Sequence, residues 1–260
     1  MLRSLIELFS RNVILKRRLP KQFGHLTIYV SPDAGLRYWK LNMYHRHNAE
    51  IYQIVNDCIE IGDSIWDIGG SVGIFSFPAI FKSGTNGSCL IIEADSFMQR
   101  VLQKTINSNP SLNVTLLPIA VSDKIGFAEL NISKVSRSMN FLNFSTGSNF
   151  SGGIRSAITV PTFNLDTLLD TFSPPNFLKI DVEGAEVSVL RGSTRILNEI
   201  RPLILIEVFD NISHDIQSIL NFFDYKYIDA RNYNTISSTT EDYLCIPNEK
   251  YNLFLAKLGR

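Results

Sequence analysis

Ser64-Ile65-Trp66-Asp67-Ile68-Gly69-Gly70-Ser71-Val72-Gly73-Ile74-Phe75-Ser76 reads as a short apolar strand, a tight glycine turn and the start of a helix. Asp67 stands near the end of the strand, where open α/β sheets bind ligands, although an Asp there also commonly caps its own turn. Glycine has no Cβ, so such a turn lets the main chain approach a ligand closely. The helix behind it presents unpaired N–H groups and a positive dipole end. The stretch predicts a nucleotide-like cofactor site.

The glycine spacing narrows the cofactor. Gly69 to Gly73 is a G-x-x-x-G run, neither the G-x-G-x-x-G of dinucleotide binders nor a P-loop with Gly-Lys-Ser/Thr. A ligand with a ribose and an amino-acid tail fits better, which points to S-adenosyl-L-methionine. Glu93 closes the next apolar run, Ser88–Glu93, twenty residues after Gly73. A carboxylate there can accept both hydroxyls of a ribose, or it is simply a solvated strand end. Ile119-Ala120 would flank an adenine through small apolar contacts.

Working outward, short apolar runs alternate with helical periodicity, the signature of βαβ units around a parallel sheet. Strands are expected at Ser64–Ile68, Ser88–Glu93, Val114–Val121, Phe177–Val182 and Leu203–Val208. Helices are expected at Gly73–Phe81, Phe97–Asn107, Leu165–Phe172, Glu186–Leu197 and Ile212–Phe223. Gly126–Ser133 and Ile158–Phe163 alternate like strands, and the Ser/Asn/Gly-rich stretch 136–153 between them reads as an inserted β-hairpin or lid. Lys226–Asp229 and Leu253–Ala256 would close the sheet as an antiparallel pair. The domain organisation expected is an N-terminal extension or cap over 1–48 and one α/β domain over 49–260.

Composition sets outer limits. The 260 residues carry 25 Lys+Arg and 25 Asp+Glu, a formal net charge of zero, which argues against a nucleic-acid partner. Cys58, Cys89 and Cys245 have no paired spacing, as expected of a cytoplasmic protein without disulfides or zinc. Residues 1–20 mix apolar side chains with Arg3, Arg11, Lys16, Arg17 and Arg18, and their uncharged runs are too short for a membrane span. They predict either a helix capping the domain or an amphipathic helix in peripheral contact with an anionic membrane or a partner.

The second dense motif is Lys179-Ile180-Asp181-Val182-Glu183-Gly184-Ala185-Glu186. Strand alternation puts Lys179 and Asp181 on one face, with Glu183 at the turn beyond. Ionisable groups so placed need pairing or a use, so Asp181, Glu183 and Lys179 are catalytic candidates beside a purely structural network. Glu207, ending the next strand, would join Asp181 in a carboxylate cluster suited to Mg²⁺ or Mn²⁺. Of His25, His45, His47 and His214, the pair His45/His47 precedes the first strand and could reach over the cofactor mouth.

These blocks resemble the FkbM-like family of S-adenosylmethionine-dependent methyltransferases. The resemblance runs through 61–73, Ile-Ile-Glu-Ala-Asp (91–95), Pro-Ile-Ala-Val-Ser-Asp (118–123), Val-Pro-Thr-Phe-Asn-Leu-Asp-Thr-Leu-Leu (160–169), Leu-Lys-Ile-Asp-Val-Glu-Gly-Ala-Glu (178–186) and Leu-Arg-Gly (190–192). It implies a Rossmann-like class I fold with a mostly parallel seven-stranded sheet, and methyl transfer to oxygen, often on a sugar or polyketide. It implies that Asp67, Gly69 and Gly73 line the methionine and ribose ends, Glu93 the ribose and Asp181 the methyl-transfer side; Gly70, Ser71, Ala94 and Ala120 are further cofactor-binding candidates. The family commonly has Glu-Pro where this chain has Glu93-Ala94. The expected activity is O-methylation of a sugar, glycan or related small acceptor. Amine, lipid or protein acceptors, and a non-catalytic interaction module, are the rival readings.

Overall fold

The computed structural model describes residues 2–43, 46–145 and 153–259, with side chains from residue 6 and, in the second stretch, from residue 48. The chain begins with α1 (Leu2–Ser10), an antiparallel ribbon of β1 (Leu15–Arg18) and β2 (Thr27–Val30), and α2 (Arg46–Cys58). Then come β3 (Ser64–Ile68), α3 (Ser76–Ser83), β4 (Ser88–Ile92), α4 (Ser96–Asn107) and β5 (Val114–Leu117). A second sheet interrupts with β6 (Ala120–Val121), β7 (Gly126–Ser133), β8 (Phe141–Leu142) and β9 (Ile154–Phe163). The chain finishes with α5 (Leu165–Leu168), β10 (Phe177–Ile180), α6 (Glu186–Arg191), β11 (Leu203–Glu207), α7 (Ser213–Phe222), β12 (Tyr225–Asp229), β13 (Asp242–Pro247) and α8 (Asn248–Lys257).

The main sheet has seven strands in the order β12-β13-β11-β10-β3-β4-β5. Every neighbouring pair from β11 to β5 is parallel, and β13 alone runs against both of its neighbours. The strand order reverses between β3 and β10, so their C-terminal ends form the crevice where doubly wound sheets bind ligands. Successive residues face opposite sides of a strand, which splits the core in two. Ile65, Ile91 and Phe177 pack with α2, α3 and α4 on one face, and Trp66, Ile92 and Leu178 pack with α6 and α7 on the other. Leu19, Phe23, Ile28, Val30 and Tyr38 from the N-terminal segment are buried in the first of these cores.

Four expectations need correction. The strand expected over 114–121 is two strands, because Pro118 cannot donate to a ladder. Ala120 and Val121 pair instead with Thr162 and Phe163 of β9 in the second sheet. Leu253–Ala256 is not a strand but lies in α8, where Tyr251, Phe254 and Leu255 meet the core at helical spacing while Leu253 is 76% exposed. The antiparallel partner of β12 is β13, from Asp242 to Pro247. The helix expected over 186–197 stops at Arg191, and a separate π-helical turn covers Ile196–Ile200. Gly192 sits at that break because a Cβ there would lie 2.4 Å from the Ser122 carbonyl oxygen. Finally, α3 starts at Ser76, since Gly73 at φ +79° is outside helical space.

The expected insertion is a hairpin of β7 and β9 with β8 along its edge. Of the lid stretch 136–153, residues 146–152 lie outside the described residues; the rest holds a 3₁₀ turn at Arg137–Met139 and β8. Three ion pairs tie the hairpin down. Arg137 donates to Asp33 at 2.9 Å and to Asp95 at 2.6 Å, and Arg155 donates to Asp33 at 2.7 Å.

Candidate active site

The site grows from the end of β3. Asp67 is 1% exposed and accepts hydrogen bonds from the Ser76 hydroxyl and from Lys179 Nζ at 3.2 Å. Lys179 comes from the paired position on β10 and donates its second bond to Asp181 at 3.1 Å. Burial opposes its charge, but the Asp181 and Asp67 carboxylates outweigh that and hold Lys179 above the ordinary lysine range. Lys179 therefore stays a cation bridging two carboxylates across the strand switch.

The glycine turn is tied to β4 by its own amides: Gly69 and Gly70 both donate to the Ile92 carbonyl, at 2.9 and 3.1 Å. The three glycines are required by protein packing in their own right. A Cβ on Gly69 would lie 1.9 Å from the Asp181 carbonyl oxygen, on Gly70 2.2 Å from Ile91, and on Gly73 2.4 Å from the Phe77 ring. The turn is thus wedged between β10, β4 and α3, while Gly69, Gly70 and Ser71 also line the cleft.

Glu93 stands where β4 ends. Its two carboxylate oxygens accept the backbone N–H of Ser71 at 2.7 Å and of Asp95 at 2.8 Å. Each oxygen keeps a second lone pair, so the pair of ribose hydroxyls remains a matching ligand. Burial, reinforced by Asp95, pushes the Glu93 carboxyl up to about 7. Asp95 itself caps α4 by accepting from Phe97 N and receives Arg137 and Asn140 from the hairpin.

All but one of the candidate residues meet in a single cleft of about 290 Å³. Asp67, Gly69, Gly70 and Ser71 form its floor, with Glu93, Ala94 and Ala120 along one side and Lys179, Asp181, Glu183 and Glu207 along another. Gly73 does not line it. Oxygens of Asp181, Glu183 and Glu207 lie within 4.8 Å of one another. Burial, with the Asp181 charge, raises Glu183 to about 8 and Glu207 to about 10. Glu183 adopts a left-handed φ of +52°, held because Glu186 accepts the N–H groups of Val182 and Gly184. Glu186, 0% exposed, is a loop clamp and not a cleft residue.

Two walls were not legible in the sequence. Arg37 and Tyr38 enter the cleft from the N-terminal segment, and Arg137, Ser138 and Asn140 enter from the inserted hairpin. The Pro-Asp-Ala-Gly turn at 32–35 announces a bend, but nothing local says what it faces. Among the described residues no histidine lines the cleft: His25 is exposed and His214 is 93% exposed beside Asp215. His45 and the side chain of His47 lie outside the described residues.

The cleft presents the Glu93 carboxylate, apolar flanks at Ile119, Ala120 and Val121, and further charged groups. Sheet order, switch-point cleft and donor set define a class I S-adenosylmethionine-dependent methyltransferase with a Rossmann-like fold. The profile of the methyltransferase FkbM domain matches residues 67–234, and the chain belongs to that family. Among solved structures, the FkbM methyltransferase of Methylobacillus flagellatus KT is 17% identical over 71% of this chain, with a TM-score of 0.48. This chain spans 43% of that protein's length. TYW2 of M. jannaschii in complex with AdoMet is 11% identical over 85% of this chain and 81% of its own, with a TM-score of 0.45. No curated protein matches the chain.

Proposed function

We propose that this methyltransferase transfers the methyl group of S-adenosyl-L-methionine to a hydroxyl of a sugar, glycan or related small acceptor. The observation that supports it is the Asp181/Glu183/Glu207 cluster, which opens into the cleft next to the Lys179 bridge. The sulfonium methyl is already electrophilic, so the protein's task is to align the acceptor oxygen and take its proton. In this reading Glu93 accepts the ribose hydroxyls, Ala120 and its neighbours flank the adenine, and Asp67 and the glycine turn shape the tail end. Asp181, Glu183 and Glu207 are the groups near the acceptor, with Lys179 holding Asp181 in place.

The test is transfer of tritiated methyl to a panel of glycans, lipids, proteins and small amines, followed by NMR of the product. An O-methyl sugar is the expected outcome. Label confined to amines, lipids or protein overturns the acceptor class, and no transfer to any acceptor together with no binding of S-adenosylhomocysteine overturns the catalytic reading.

A second reading is that Asp181 and Glu207, with Glu183, hold Mg²⁺ or Mn²⁺ to polarise the hydroxyl. The oxygen-only donor set suits these ions. Activity that survives EDTA removes this version and leaves a carboxylate as the base.

We further infer a cytoplasmic location and a peripheral membrane contact through α1. All three cysteines are free and buried. On α1, Leu8 is 50% and Phe9 73% exposed, and the basic residues of 11–18 follow. No helix among the described residues is long and apolar enough to cross a membrane.

A further inference from the structure

Among the described residues, three cationic side chains line the cleft: Arg37, Arg137 and Lys179. Two of them are committed. Arg137 is held by Asp33 and Asp95, and Lys179 by Asp67 and Asp181. Arg37 has no carboxylate among the described residues. Its contact within hydrogen-bond reach is Nη2 donating to the Tyr38 hydroxyl at 3.3 Å, and its Nε is buried with no partner. The guanidinium lies 4.9 Å from the centre of the Tyr38 ring, and Tyr38 is 2% exposed, so the charge is stacked on a fixed platform. A partly buried guanidinium with spare donors is unfavourable unless an anion completes it.

The methyl donor carries one anion, the carboxylate of its methionine tail, alongside an ammonium and a sulfonium. The acidic groups of the cleft complement the cations and the ribose, so none of them serves the carboxylate. We propose that Arg37 binds the methionine carboxylate of S-adenosyl-L-methionine through its planar pair of N–H donors, and so anchors the tail of the donor. This rests on the cofactor assignment and adds a residue from outside the 67–234 family match. A fork of N–H groups matches a carboxylate in two parallel bonds, a geometry lysine cannot reproduce.

The test is calorimetry with two ligands: S-adenosylhomocysteine and S-adenosyl-3-thiopropylamine, which lacks only the carboxylate. The wild-type chain is expected to prefer the first by about 10- to 100-fold, the range of charge-assisted hydrogen bonds. Arg37→Met should abolish that preference while binding the amine analogue as the wild type does. Arg37→Lys, a second variant that keeps the charge and most of the packing, should retain only part of it. A preference unchanged in both variants overturns the assignment and would leave Arg37 for an anionic acceptor. Equal weakening of both ligands in both variants also overturns it, as a general loss of cleft shape. Failure of the cofactor assignment itself is distinguishable, because then the wild type binds neither ligand.

Discussion

Gly69 carries a constraint that no rotamer change relieves, because the obstacle is the Asp181 backbone carbonyl and not a side chain. It also holds φ at +84°, a region L-residues avoid. Gly69→Ala should therefore lose about 3 kcal/mol or more of stability, summing overpacking and left-handed strain. Urea denaturation checks this, and a loss below about 1 kcal/mol would show that β10 and the turn are free to part. At Glu93, only the carboxylate can accept two ribose hydroxyls while also accepting Ser71 and Asp95. With burial holding the group near 7, protonation below that pH replaces an acceptor with a donor. S-adenosylhomocysteine should bind more tightly as pH rises through about 7. Glu93→Gln should bind weakly with no such step, which titration calorimetry between pH 6 and 8 would show.

At the scale of elements, the inserted hairpin is held to the body by ion pairs beside an apolar cluster in which Leu130, Ile132, Leu142 and Val160 meet Ala94, Val182 and Ala185. Asp33 is 2% exposed and takes both Arg137 and Arg155. Burial raises its carboxyl, but the hydrogen bonds and charges of Arg155 and Arg137 prevail, so the net shift is downward. A carboxyl lowered by folding contributes stability that is fully present above its unfolded value, about 3.9, and disappears as pH falls through the folded value. Asp33→Asn should be less stable by about 3 kcal/mol at pH 7, since it leaves two guanidinium groups short of an anion. The gap from wild type should hold down to about pH 5 and narrow below about 4 in thermal melts. A gap that widens in acid would contradict the network. The same loop of charge explains why Arg137 and Asn140 stand in the cleft wall: Asp95, which caps α4, collects both.

At the scale of the molecule, the N-terminal segment belongs to the core. Leu19, Phe23, Ile28 and Tyr38 pack in the same cluster as Ile65 and Phe177. Within α1, by contrast, Leu8 and Phe9 face outward, and Ser10 accepts the Trp39 indole N–H. Deleting residues 2–9 should leave the melting temperature within a few degrees and reduce sedimentation with anionic vesicles. Deleting residues 2–43 should yield aggregated chain, because it uncovers several fully buried apolar side chains, each worth about 1.5–3 kcal/mol. A folded, monomeric 44–260 fragment would mark the extension as a separate cap, and unchanged vesicle binding without residues 2–9 would remove the membrane contact.

What the sequence determined by itself is the set of glycine and acidic positions at the strand ends and the succession of the parallel strands along the chain. Strand, glycine turn and acidic strand end at 64–73 and 91–95 lie close along the chain, and each imposes its own local pattern of period and glycine. Lys179, Asp181, Glu183 and Glu207 were legible for the same reason, as polar residues at the ends of apolar strands. Only the tertiary structure decided the rest. It showed that the glycines answer to Asp181, Ile91 and Phe77, that β12 pairs with β13, and that Arg37 and Arg137 close the cleft. These depend on partners far apart in sequence, such as Asp33 with Arg137, 104 residues on, and with Arg155, 122 residues on. An ion pair or a backbone contact needs no periodicity to form, so it leaves no pattern in the sequence until the fold brings its two halves together.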